Sequence, residues 1–437
     1  MKPFAILNSR QPYLKYLAIV LTLVIIYVLT HRSNDYVSQS LQSNSQDSST
    51  KDTIKVPEEL KIEKEENLLD PNQEKIEDSY KQSQKFQIQE SHDKMQQSQF
   101  EPENPKEKET SKNSKVKATF VTLARNEELF SLIKSIRSVE DRFNHKFNYD
   151  WIFFNDKEFT QEFKDLTSAI VSGKTKYGTI PKEHWSYPEW IDQQKAEESR
   201  KKMKAAGIIY GDLESYRHMC RFESGFFWRN PLLEDYDWYW RVEPDTDIHC
   251  DLNYDLFKYM EDNNKVYGFT ISIHEFDKTI PTLWEQTKKF IDLHPEYIAE
   301  NNFMDFISND KGKTYNLCHF WSNFEIASLK FWRSKAYQDY FEFLDKTGGF
   351  FYERWGDAPI HSIAASLFLP KDKIHYFEDV GYRHGVYTQC PLNPEYRYQH
   401  KCHCKPNDDF TFRGYSCGRR FYEKMGLTKP EEWENYT

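Results

Sequence analysis

The run VKATFVTLARNEELFSLIKSIRSVEDRF, residues 116–143, decides the fold. Ala118 to Leu123 is an apolar segment of strand length, and a polar turn, ARNEE, follows it. From there Leu129, Leu132, Ile133 and Ile136 recur at the 3.6-residue period of an amphipathic helix. The same chemistry recurs downstream. DWIFFND (150–156), KVYGFTIS (265–272) and KIHYFED (373–379) read as further strands, with helical patterns between them. Strands alternating with helices predict an α/β domain with a mostly parallel sheet flanked by helices. Ligands of such sheets bind outside the carboxyl ends of the strands, where the chain order reverses. Arg125 stands at the end of the first strand.

YWRVEPDTDIHCDLNYD, residues 239–255, begins as an aromatic strand and turns acidic. Glu243, Asp245 and Asp247 alternate, so a strand continuing that far projects all three from one face. Three carboxylates on one face repel each other unless a cation sits among them. A short D-x-D is also a common solvated turn, and both readings stay open. Hard oxygen ligands suit Mg2+ or Mn2+, which bind diphosphate oxygens as well.

Outward from this core the chain changes character. Residues 16–30, YLAIVLTLVIIYVLT, are uncharged and apolar. At about 1.5 Å per residue they are short for a hydrocarbon core of roughly 30 Å, and flanking tyrosines extend them. Lys2, Arg10 and Lys15 precede the segment, which sets residues 1–15 in the cytosol and the bulk of the chain in the lumen. A cleaved signal peptide is the rival, but HRSNDY after Thr30 offers no small-x-small cleavage site. Residues 31–115 are rich in Gln, Ser, Lys, Glu and Asn, with too little apolar surface to offset chain entropy. They read as a disordered lumenal stem before a domain spanning 116–437. The net charge of −10 gives no electrostatic reason to bind nucleic acid. All seven cysteines lie from Cys220 onward, and an oxidising lumen favours disulfides with at least one thiol left over. Cys402, His403 and Cys404 raise a zinc alternative, although their spacing matches no known ribbon or finger. Connectivity stays open.

Several activities lose their sequence support. Gly173-Lys174-Thr175 resembles the tail of a phosphate-binding loop, but Ser168 occupies the position of its first glycine. The chain has no G-x-S-x-G, H-E-x-x-H or G-x-G-x-x-G. A lumenal protein with a divalent-metal diphosphate site points to a nucleotide-sugar donor.

Seven longer blocks go further: KEHWSYPEWID, IIYGDLESYRHMCRFESGFF, YWRVEPD, EDNNKVYGFT, YNLCHFWSNFEIA, DKTGGFFYERWGDAPIHSIAA and GYRHGVYTQCP. Through them, from about Val116 to Lys405, the chain resembles the fungal Golgi α-1,2-mannosyltransferase family (glycosyltransferase family 15). The resemblance implies a nucleotide-diphospho-sugar transferase (GT-A-like) fold behind a signal-anchor. It also implies GDP-mannose as donor, Mn2+ as cofactor, and mannosylated glycoproteins as acceptors. Transfer would retain the α configuration at a mannose 2-hydroxyl, in a single-pass type II protein of the Golgi membrane.

By the same resemblance, Glu243 and His384 are metal ligands. Glu325 is the proposed nucleophile and Asp357 a second carboxylate that takes or orients the acceptor proton. Tyr216 and Arg125 serve the donor or acceptor, and Asp245 lines the donor site. Relatives usually lack an equivalent of Asp247, so it is given no ligand role. Each residue has a plainer alternative. Asp357 could cap the helix that follows, Tyr216 could pack in the core, and Arg125 could form a surface ion pair. Trp321, Trp355 and Phe351 are either sugar-stacking surfaces or core. Glu325 could form a covalent intermediate, as in retaining glycosidases, or steady charge during same-face attack. Mannosylphosphate transfer and a catalytically silent lectin or scaffold are the alternative functions.

Overall fold

The computed structural model describes residues 115–431 and 433–436. The tail, the segment 16–30 and the stem up to residue 114 lie outside the described residues. Among the described residues no helix is long and apolar enough to cross a membrane.

A seven-stranded sheet forms the centre, in the order β10-β6-β9-β4-β1-β2-β3. Its strands are β1 (Ala118–Leu123), β2 (Asp150–Asn155), β3 (Thr175–Thr179), β4 (Trp238–Val242), β6 (Tyr267–Phe269), β9 (Phe324–Ser328) and β10 (Ile374–Tyr376). Only β9 runs against the rest, between β4 and β6. The order leads from β1 outward to β2 and β3, then back to β4 on the other side of β1. The switch in chain order therefore falls between β1 and β4, and their carboxyl ends flank a crevice.

Both faces of this sheet are apolar, as expected for buried parallel strands. Phe120, Trp151, Phe153, Trp238, Trp240 and Phe324 point to one face. Helices α1 (Leu129–Val139) and α3 (Leu256–Asp262) cover it with Leu132, Ile136, Leu256 and Phe257. Val121, Ile152, Phe154, Tyr239 and Ala327 point to the other. There they meet α2 (Glu214–Gly225), α4 (Lys335–Thr347) and α5 (Asp357–Phe368). Caps fix the helix ends. Asp255 accepts from the backbone of Phe257 and Lys258 before α3, and Gly348, at φ 76°, closes α4.

A three-stranded antiparallel sheet stands beside the crevice, with β11 (Tyr382–His384) between β5 (Thr246–Ile248) and β12 (Tyr387–Gln389). Strands β7 (Ser272–His274) and β8 (Cys318–Phe320) pair separately.

Two expectations need correction. The strand carrying YWRV stops at Val242; Asp245 adopts a left-handed φ of 60°, and β5 is a new strand paired with β11. Glu243, Asp245 and Asp247 therefore do not share one strand face. The segment 265–272 is likewise not one strand, since β6 ends at Phe269 and β7 begins at Ser272.

Candidate active site

Alternation along β4 sends Trp238, Trp240 and Val242 into one apolar layer. Arg241 then takes the opposite face, towards α2 and α5. Its buried guanidinium gathers carboxylates from three segments. Nη1 donates to Asp357 Oδ2 at 2.6 Å and lies 3.8 Å from Glu223 Oε2, while Nη2 donates to Glu243. Ser322 Oγ adds a 2.7 Å hydrogen bond to Asp357. Burial pushes the Asp357 carboxyl up, but the Arg241 and His361 charges and these hydrogen bonds outweigh it and hold it below its usual range. Burial wins at Glu223, whose carboxyl is pushed up to about 7 despite Arg241. Asp357 is the first residue of α5; Gly356 holds the cap position and no side chain caps this end. The carboxylate is turned to Arg241, so the capping alternative does not hold.

Glu325 lies opposite Arg241 in the β4–β9 register, fully buried. Its carboxylate accepts from the hydroxyls of Tyr239 and, at 2.7 Å, Tyr267. It also pairs with His361 Nδ1 at 3.0 Å. His361 Nε2 is 3.2 Å from the Glu223 carbonyl, which can only accept. Both imidazole nitrogens thus face acceptors. Burial pulls the His361 pKa down, but the Glu325 charge and hydrogen bond raise it overall, consistent with an imidazolium–carboxylate pair.

Above this buried layer a cavity of about 720 Å³ opens at the β1–β4 crevice. Arg125, Tyr216, Glu243, Asp357 and His384 all line it, so five sequence-predicted residues from five segments meet there. Asp245 and Glu325 are not among its lining residues. Arg125 is largely exposed and pairs with Glu128 at 2.9 Å, so the surface ion pair exists within the cavity wall. Tyr216 stacks on Tyr210 with ring centroids 4.8 Å apart. Trp321 lines the cavity beside His384, whereas Trp355 and Phe351 are buried core. A second cavity, about 760 Å³ and lined by Tyr254, Tyr396 and Tyr422 among others, contains none of the predicted residues.

The donor set suits a borderline divalent cation. Glu243 would offer a carboxylate and His384 an imidazole, a combination that Mn2+ accepts more readily than Mg2+. His384 sits on β11 opposite Thr246, three residues after Glu243, so strand pairing brings the two segments together. Behind it, His384 Nδ1 lies 2.7 Å from the Asn323 amide, whose oxygen accepts from Tyr382 at 2.9 Å. That amide nitrogen can only donate, so Nδ1 accepts here and Nε2 carries the proton. A cation on Nε2 would need the Asn323 amide turned so that its oxygen faces an Nδ1–H. Gly381, at φ 65°, leads into β11; a Cβ there would lie 2.7 Å from Cys250 Sγ. Asp247, by contrast, accepts from Arg383 at 3.0 Å, and Asp245 lies 3.7 Å from the same guanidinium.

Cysteine chemistry is settled by pairing. Disulfides join Cys250–Cys402, Cys318–Cys417 and Cys390–Cys404, and Cys220 is a buried free thiol. Cys402 and Cys404 therefore cannot form a zinc site with His403. His274 clusters with Cys318 and Cys417, but their disulfide leaves no thiolate for a metal.

Sequence reasoning missed Arg241, Glu223 and His361. His361 was within reach, because it lies four residues after Asp357 on one helix face. Arg241 was a charge inside an aromatic strand, which demands a buried partner. Nothing local marked Glu223.

Comparisons with known proteins assign the chain to a family. The family model described as Glycolipid 2-alpha-mannosyltransferase matches residues 70–426. The chain is 66% identical to Glycolipid 2-alpha-mannosyltransferase 2 of Candida albicans, over 100% of both chains. It is 63% identical to Alpha-1,2 mannosyltransferase KTR1 of Saccharomyces cerevisiae, over 73% of this chain and 81% of that one. Core-mannan synthase A (CmsA/Ktr4) from Aspergillus fumigatus, solved in a Mn/GDP form, superposes with a TM-score of 0.68. It shares 43% identity and is matched over 73% of this chain and 87% of that one.

Proposed function

This chain belongs to the glycolipid 2-alpha-mannosyltransferase family, and from that premise we propose that its cavity moves mannose from GDP-mannose to the 2-hydroxyl of a mannose acceptor. It is a GDP-mannose-dependent α-1,2-mannosyltransferase that uses Mn2+. One observation carries this reading: Arg125, Glu243, His384 and Asp357 line one cavity at the switch point of the sheet, the place where such folds bind nucleotides.

Glu243 and His384 would hold the cation. When bound, it neutralises the diphosphate charge and makes GDP a good leaving group without a dedicated acid. Arg125, at the end of β1, is placed for the guanosine or a phosphate. Tyr216 packs along the sugar, whereas Asp245 lies outside the cavity lining, 3.7 Å from Arg383. Asp357 is held ionised by Arg241, which makes it a weak base. It therefore orients the acceptor 2-hydroxyl and stabilises the positive charge that develops at the anomeric carbon. As the acceptor oxygen bonds to that carbon and the carbon–phosphate oxygen bond breaks, the departing oxygen takes the hydroxyl proton on the same face. The α configuration is retained. Burial of Glu325 and its engagement by Tyr239, Tyr267 and His361 favour a charge-steadying role over nucleophilic attack.

In the cell we place residues 1–15 in the cytosol, 16–30 as the Golgi signal-anchor, 31–115 as the stem and 116–437 as the lumenal catalytic domain. The acceptors are O- or N-linked glycans of glycoproteins.

The test is transfer from GDP-mannose to methyl α-mannoside by purified protein with Mn2+, with EDTA, and with Glu243→Ala. We expect chelation and the substitution each to lower kcat/KM by roughly 100-fold or more, since second-layer changes alone cost about 10–100-fold. Full activity in EDTA sinks the metal site. Binding of GDP-mannose without product favours the silent lectin, and a phosphate in the product favours mannosylphosphate transfer. A glycosyl adduct trapped on Glu325 would restore the nucleophile.

A further inference from the structure

Arg354 and Glu275 take no part in the chemistry above, yet both line the cavity. The Arg354 side chain is only 4% exposed. Its Nε is buried with no hydrogen-bond partner, and its Nη2 reaches Glu275 Oε1 at a long 3.5 Å. Buried guanidinium donors are almost always satisfied, so this one, enclosed behind the wall of a cavity that its residue lines, leaves Arg354 loosely held and able to turn a donor to a bound group. Glu275 Oε1 already accepts from the backbone of Phe276 at 2.7 Å, while among the described residues no hydrogen bond engages Oε2. Beyond it lies Gly356, where a Cβ would still stand 3.7 Å from Oε2.

A guanidinium and a carboxylate with an unengaged oxygen thus line the same cavity. A phosphate fits poorly, because Glu275 would repel it. A sugar hydroxyl, which donates and accepts at once, fits both. Above the pair stands an apolar rim. Tyr210, Phe276 and Tyr415 are 48%, 50% and 41% exposed and all line this cavity. Exposed aromatic rings collected around one cavity mouth mark a binding surface rather than chance. Tyr210 is held at φ 56°, a left-handed conformation that a bulky residue rarely adopts. It stacks on Tyr216, and Arg354 lies 5.1 Å over that same Tyr216 ring. Position agrees. Arg125 belongs to the β1 end of the cavity, whereas Arg354 comes three residues before Asp357, and Glu275 follows β7.

We propose that this wall is an acceptor subsite for the mannose rings beyond the one that receives the new residue. Arg354 and Glu275 bind hydroxyls there, and Tyr210, Phe276 and Tyr415 form the stacking surface. The inference rests on the mannosyltransferase reading and adds that the enzyme selects neutral oligomannosides over single sugars.

The test measures kcat and KM for methyl α-mannoside and methyl α-1,2-mannobioside. The variants are Phe276→Ser and Tyr415→Ala, both at exposed positions, and Arg354→Lys. Wild-type protein should prefer the two-ring acceptor. Each substitution should raise KM for the two-ring acceptor at least about fivefold more than for the one-ring acceptor, the scale of a lost stacking contact or hydrogen bond. Effects on kcat should stay similar for both acceptors. No transfer to any mannoside overturns the mannosyltransferase reading and this inference together. Transfer with equal kcat/KM for both acceptors, or variants that lower both equally, overturns the subsite alone.

Discussion

Two acidic regions of this molecule invite opposite treatment. In the run from Glu243 to Asp247, carboxylates stand close in sequence, yet Asp245 and Asp247 are 63% and 37% exposed and share one arginine, Arg383. In the layer beneath the cavity, Glu223, Glu325 and Asp357 come from three distant segments and are almost wholly buried around Arg241 and His361. Charges that crowd in sequence can be left to water, which screens them. Charges that crowd through folding must be paired, because burial without a partner is expensive. The buried group should therefore hold most of the energy, and the exposed run little.

The sharpest way to break that comparison is Arg241→Met. It leaves Asp357, Glu223 and Glu243 facing one another without a cation, and removing one member of a buried ionic group costs about 3–5 kcal/mol. Denaturant unfolding of metal-free protein should show a loss of that size together with loss of transfer. A loss below about 1 kcal/mol would mean that the carboxylates relax to solvent or protonate at little cost. Adding Glu223→Gln to Arg241→Met should recover part of the loss, since one buried charge fewer is then stranded.

Glu223→Gln alone tests the layer through pH. Burial raises this carboxyl to about 7 in the folded state, against about 4.3 for an unperturbed glutamate. A folded pKa above the unfolded one gives stability that is complete below about pH 4.3 and is lost as pH rises through about 7. Wild-type protein should therefore weaken between pH 5 and 7.5 by on the order of 2–3 kcal/mol more than the variant. Thermal or denaturant unfolding at those two pH values checks it. Identical slopes would show Glu223 ionised throughout, with Arg241 outweighing burial.

How far sequence reading reaches follows from the same contrast. The strand–turn–helix at 116–143 was legible because both periods are local, and Ala118–Leu123 and Leu129–Val139 are the elements that form. The helix is buried through Leu129, Leu132 and Ile136 as its period implies. Where the strand at 239–242 stops was not legible, because the alternation of Glu243, Asp245 and Asp247 mimics a strand that Asp245 interrupts. Arg125 and Glu243 could be placed together because both follow parallel strands. The Arg241 cluster could not, since Glu223 and Asp357 reach it only through helix packing on the sheet. Glu325 sits among buried tyrosines for a similar reason: its register partner is Arg241, and strand pairing is invisible in a single strand's pattern.

The smallest effect belongs to the exposed run, and its smallness is what the comparison needs. Asp245→Asn and Asp247→Asn remove charge while keeping shape, and asparagine tolerates the left-handed backbone at position 245 as aspartate does. Each loses only a contact with a solvated Arg383, and such pairs contribute about 0–1 kcal/mol. The double variant should fall within roughly 0.5 kcal/mol of wild type, with the difference gone at about 1 M salt, where charges more than about 3 Å apart are screened. Its KM for GDP-mannose should change less than about threefold, because the Asp245 carboxylate does not line the cavity. A tenfold rise confined to Asp245→Asn would instead draw that carboxylate into the donor site. It would require the turn after Glu243 to close over the nucleotide, and the exposed region would then join the buried one in binding it.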